Sequence, residues 1–271
     1  MNDIPRDLEK AREAYRAGDI QASIKAHQLD PHKENHKSGG ELLKSAVYGG
    51  FDGIINVIAA ITGAEGSDLG ALVILIIGLS VIISDALSMA FGDYLGSRAE
   101  NQFAANERRR EEWEVDNNPE GEKQEMIEIY QKKGMAKEDA EEMMDILSKY
   151  KGAWVDVMMV EELGITPGDD SPAKNAVVTF FAFLIAGLLP IIPYAIGHAA
   201  HVEKNTTVPF ALSLVVGAIL LFCVGVLKSR LSGQNFIKSG FEALIIGALA
   251  GAAAYGIGAA MKPLTGGRVA A

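Results

Sequence analysis

Cysteine is nearly absent: Cys223 stands alone in 271 residues. One thiol excludes an intrachain disulfide and a cysteine metal cluster. There is no basic excess either; the formal net charge is −10, which argues against nucleic acid as a partner. The chain has no nucleophile elbow, Walker loop, HExxH pair or dinucleotide glycine fingerprint. The expectation is therefore a protein that is not an enzyme and holds no organic cofactor. The opening "MNDIPRDLEK" and the polar stretch after it lack the apolar core of a cleavable leader, so the first membrane segment is expected to direct insertion.

Apolar residues, in contrast, make up 49% of the chain, and they are segregated. Five windows, residues 45–64, 70–91, 176–197, 208–227 and 243–261, each approach the roughly 20 residues that cross a bilayer core. The last three contain no charged residue. Between residues 97 and 172 lie 20 Asp or Glu and 10 Lys or Arg, so the whole net charge sits in one polar insert. The reading is an all-α polytopic membrane protein with five transmembrane helices and a three-helix cytosolic metal-binding insert. Its parts are a polar N-terminal appendage (1–41), spans one and two (42–96), the acidic insert (97–172), spans three to five (173–262) and a tail (263–271).

Residues 8–27 have helical spacing around an Ala-Gly-Asp turn and read as a small amphipathic helix pair. His27, His32 and His36 follow in a polar linker and read as solvated rather than as metal ligands. Lysines before span one and between spans four and five, against their scarcity in the loops after spans one and three, place the N-terminus and the insert in the cytosol. Gly247 and Gly251 form a GxxxG pair in span five that allows close helix packing. Pro190 and Pro193 are expected to interrupt the hydrogen-bond ladder of span three.

Carboxylates at hydrocarbon depth mark a pathway or a pair. Asp52 lies among Gly49, Gly50 and Gly53, with Asn56 one turn on. Asp85, Met89 and Asp93 follow one another along a stripe of span two. Oxygen with thioether suits first-row divalent metals better than Mg2+ or Ca2+, although Met89 could be simple packing. In the insert, if span two continues past residue 97 as one helix, Glu111 and Glu114 share a face. After the Asn117-Asn118-Pro119 break Glu122, Glu125 and Glu128 share another, and Met158 and Glu162 are one turn apart. Such a set could hold a metal, or it could be a solvated charged surface in which Arg108, Arg109 and Arg110 pair with Glu112 and Glu114; the spacing leaves both open. His198 and His201, at the end of span three, read as interfacial.

The stretches "FDGIINVIAAITGA", "ALSMAFGDYLGSRAE", "AWVDVMMVEELG", "GLLPIIPY" and "SGFEALIIGALAGAAAYGIG", in this order and spacing, resemble the vacuolar iron transporter family over roughly residues 42–260. The resemblance implies a proton-coupled homodimeric exporter of cytosolic Fe2+, with Mn2+, Zn2+ or Co2+ as further ions, in a vacuolar or equivalent membrane. It implies insert ligands at Glu111, Glu114, Glu122, Glu125, Met158 and Glu162, and pathway residues at Asp52 and Met89. Glu242 and Glu100 match further family acids. The family glutamate of span two falls on Val81, and Asp85, one turn later, is the expected replacement. A membrane-anchored metal sensor with no transport is the alternative.

Overall fold

A computed structural model describes residues 8–26, 38–166, 171–200 and 207–265. Among these the chain is helical throughout and contains no strand. It divides into two compact units, Met1–Glu41 and Leu42–Ala271.

In the first unit, α1 (Leu8–Ala17) and α2 (Ile20–Ala26) meet at Gly18. Its φ of 66° is the left-handed value that ends a helix cheaply only at glycine. Asp19 then caps α2 by accepting a hydrogen bond from the Ala22 amide at 2.9 Å. The three linker histidines lie outside the described residues.

The second unit contains α3 (Ser38–Gly66) from Leu42 on, and α4 (Ala71–Asn117), α5 (Pro119–Lys132), α6 (Lys137–Leu147), α7 (Lys151–Glu161), α8 (Pro172–Ala199), α9 (Val208–Ser232) and α10 (Phe236–Thr265). Five of these, α3, α4, α8, α9 and α10, are long and apolar enough to cross a membrane. The outer faces agree with that solvent. Leu72, Ile76, Leu79, Ile83 and Leu87 on α4, with Val177, Phe181, Ile185 and Ile196 on α8, are exposed at helical spacing. Stripes of this kind are untenable against water and ordinary against lipid.

Small residues bring the membrane helices together. Gly49 and Gly53 of α3 lie against the backbone of Thr179 and Phe183 on α8, where a side chain would collide. Gly63 meets Gly258 of α10 in the same way, and Ser67 Oγ donates to the Gly258 carbonyl at 3.0 Å. In the expected GxxxG pair, Gly247 faces Leu221 of α9 and Gly251 faces Ile58 and Thr62 of α3, so the two glycines serve different neighbours. α8 continues as one helix through Pro190 and Pro193, which have no amide hydrogen to give to its ladder. Pro190 is buried against the other helices, a setting in which a lost backbone bond is tolerated.

α4 is one continuous helix of 47 residues, about 70 Å long at 1.5 Å per residue. Its apolar part ends near Phe91 and the remainder extends into the insert. It stops at Asn118, and Pro119 occupies the first turn of α5, where its missing amide hydrogen costs nothing. Glu120 and Glu122 in that turn suit the helix dipole. The insert thus consists of the α4 extension with α5, α6 and α7, four helical segments around a core of Val115, Met126, Ile127, Ala140, Met144, Trp154, Val155, Met158 and Met159. The methionine-rich composition of this segment is a core composition. Surface ion pairs fix how the helices lie: Arg108 with Asp156 joins α4 to α7, and Lys123 with Asp145, at 2.8 Å, joins α5 to α6.

Candidate metal centre

Three segments converge on Glu122. Carboxylate oxygens of Glu111 and Glu114 from α4 and of Glu122 from α5 lie within 4.8 Å of one another. Those of Glu122, Glu125 and Glu162 do so as well. Glu162 stands directly after α7, its amide bonded to the Met158 carbonyl at 3.0 Å. Met158 itself is fully buried. An ion bound at about 2.1–2.4 Å to each oxygen bridges oxygens up to roughly 4.8 Å apart, so the dimensions fit.

The electrostatics favour a cation here. Glu111 is 0% exposed, yet its Oε2 has no hydrogen-bond partner, and neither has the buried Oε2 of Glu162. Buried polar atoms almost always find partners, and the exceptions need a reason. Burial, and then the neighbouring carboxylates, push Glu162 up to about 7. Burial likewise raises Glu111 to about 7 against the lowering influence of Arg110, with Glu114 and Glu122 adding to the rise. Glu122 is raised by burial and by Glu114 and Glu125. A site that holds acids together at such cost to their ionisation gains most from a divalent ion with oxygen ligands.

The remaining charges of this region sort themselves. Arg108 pairs with Glu112 at 3.2 Å and with Asp156, and Arg109 bonds Asn106 at 2.6 Å and the Ala105 carbonyl. Both belong to the solvated face that the sequence suggested. Arg110, also exposed, reaches Glu114 at 3.7 Å, the pairing that the charged-surface reading expected, and in addition Glu107 at 3.0 Å and the buried Glu111 at 2.8 Å. Glu128 is exposed and accepts from Gln124 at 3.2 Å, so it stands apart from the acids beside it in sequence.

At membrane depth Asp52 and Asp85 come together through an amide. Asn56 Nδ2 donates to Asp52 Oδ2 and to Asp85 Oδ2, each at 3.3 Å. Met89, half-buried, is one turn beyond Asp85. Val81, also half-buried, contributes no donor atom. Asp93 is engaged differently, accepting from Thr179 Oγ1 at 2.6 Å, Ser45 Oγ at 3.3 Å and Ser97 Oγ at 3.4 Å, and so ties α3, α4 and α8 together. Glu100 is exposed on α4, between the two groups of acids. Glu242 is exposed and pairs with Lys228 of α9 at 2.8 Å. The sequence reading passed over Glu65, whose Oε2 accepts from the buried Tyr194 hydroxyl at 2.9 Å. Only the lone acid near the end of span one hinted at it. His198 is exposed and His201 lies outside the described residues.

Residues 43–259 match the VIT family. The chain belongs to the VIT family. This covers all five membrane helices and the insert, as the resemblance implied. The vacuolar iron transporter of Toxoplasma gondii is 41% identical over 98% of this chain and 92% of its own length. That of Plasmodium berghei is 34% identical over 94% and 97%. Vacuolar iron transporter 1 of Arabidopsis thaliana is 30% identical over 84% and 89%. At 98% of the chain, the similarity to the T. gondii protein reaches into the N-terminal appendage, which the family words in the sequence did not.

Proposed function

We propose that this VIT family chain transports Fe2+ across a membrane, moving it out of the cytosol into a vacuole or equivalent compartment in exchange for protons, and that it does so as a homodimer. Mn2+, Zn2+ and Co2+ share the same ligand chemistry and are further substrates of the reading. It is not an enzyme. The observation that carries the proposal is the carboxylate cluster with its two buried, unpartnered oxygens, built partly on a helix that continues into a membrane span whose Asp85 is joined through Asn56 to Asp52 of α3. The names of the relatives supply the ion. The lysines before span one and between spans four and five, against none in the loop after span one, support the orientation proposed, with N-terminus and insert cytosolic.

The insert then acts as a collecting site. Glu111, Glu114, Glu122, Glu125 and Glu162 take the ion as anions, with the buried Met158 thioether favouring borderline-soft Fe2+ over Mg2+ and Ca2+. The ion passes along α4, by way of Glu100, to Asp52, Asp85 and Met89. On the acidic side protons neutralise these carboxylates and release the ion. Glu242 takes part only if it leaves Lys228.

Purified protein in proteoliposomes with a proton gradient tests this. Asp52→Ala is expected to lower Fe2+ flux at least tenfold while leaving Fe2+ binding to the insert intact. Wild-type flux from that variant would remove the pathway. Fe2+ binding with no flux in the wild type would leave a membrane-anchored metal sensor.

A further inference from the structure

The position of Arg110 is unexpected for a protein that gathers cations. Its neighbours Arg108 and Arg109 turn to Glu112, Asp156 and Asn106. Arg110 instead lies against the acids, with NH2 on Glu111 Oε1 at 2.8 Å and on Glu107 at 3.0 Å, and NH1 toward Glu114 at 3.7 Å. Glu107 is not one of the six insert ligands, so it tethers the guanidinium from outside the cluster. One arm of the fork, NH2, therefore bridges the anchor and the most buried carboxylate of the site, while NH1 faces Glu114.

We propose that Arg110 is an internal competitor for the metal, a tethered cation that occupies the Glu111 and Glu114 side of the cluster and must yield when a divalent ion is captured. The proposal rests on the metal-binding reading of the insert. Its physical basis is the separation of Glu111's two oxygens into different roles. Oε2 is unpartnered and open to an ion, whereas Oε1 is committed to the guanidinium. An ion held by both oxygens, or one shared with Glu114, has to displace the fork, and any ion in the cluster meets a positive charge one hydrogen bond away. Once displaced, Arg110 remains tethered through Glu107, ready to return. Affinity is thereby set below what five carboxylates would otherwise give, as a site that must hand its ion onward requires.

Arg110 is thus a residue that tunes affinity, and its removal has the opposite sign from the loss of a structural ion pair. The test is Mn2+ binding to the full-length protein in detergent at about pH 8, where the carboxylates are ionised, by calorimetry at low ionic strength. Arg110→Gln is expected to tighten Mn2+ binding roughly tenfold, about 1.4 kcal/mol. Arg110→Lys keeps the charge and the fold but loses the fork, and is expected to tighten it two- to threefold. Arg109→Gln removes the same charge from the solvated face and is expected to change affinity less than twofold. Unchanged or weaker binding in Arg110→Lys together with Arg110→Gln, or equal tightening by Arg109→Gln, would overturn the proposal. If wild-type protein failed to bind Mn2+ at all, the metal reading of the insert would fall first, and this inference with it.

Discussion

Glu111 and Glu162 carry opposite consequences for folding and for binding. Both are raised to about 7, by burial first and neighbouring acids second. Between the unfolded value of 4.5 and about 7 the folded insert therefore holds more protons than the unfolded chain. Stability without metal falls as pH rises through that window, while capture of an ion, which needs the anions, strengthens. Asp145, held low by Lys123, titrates below it. Thermal melts from about pH 5 to pH 8 should show a falling midpoint without metal and a growing increment with Mn2+; an increment independent of pH would contradict the site. Met158 offers a second residue-scale test. Met158→Leu conserves volume at a fully buried position and should cost less than about 1.5 kcal/mol in stability. It should nevertheless weaken Co2+ relative to Mn2+ in competition binding, since the softer ion loses its thioether.

At the scale of elements, the five apolar windows, the Asn-Asn-Pro break and the i,i+3 carboxylates were all legible in the chain, because each is a local pattern read along one helix. What stayed hidden depends on which faces of different helices meet. Asn56 joining Asp52 to Asp85, Asp93 accepting from Ser45 and Thr179, and Tyr194 reaching Glu65 all cross between different helices. Arg110, by contrast, stays exposed and its partners Glu107, Glu111 and Glu114 all lie on α4 itself; what stayed hidden there is that Glu111 is fully buried by the helices packed against it. The glycine contacts are similar: GxxxG spacing identified close packing but not the tightest point, which is Gly63 on Gly258. Gly258→Leu should force α3 and α10 apart, at about 1–3 kcal/mol for overpacking. A fall of several degrees in the detergent melting temperature is the expected readout, and no change would mean the two helices are not in contact there.

For the molecule as a whole, the carboxylate cluster of the insert and the Asp52–Asp85 pair share α4 and no other helix. Arg98→Pro, placed on its exposed face between them, breaks that helix at a local cost of ~3 kcal/mol or more. Fe2+ flux should fall severalfold in proteoliposomes while Mn2+ binding by the insert stays within twofold. Equal loss of both would indicate general misfolding, and no loss of flux would show that the two sites work independently. An unbroken α4 also makes the protein a lever. Tilting a rod of about 70 Å by roughly 5° sweeps its far end through about 6 Å, and because α5, α6 and α7 pack on the α4 extension through one shared core, any such rocking of span two would carry the whole carboxylate cluster with it as a unit.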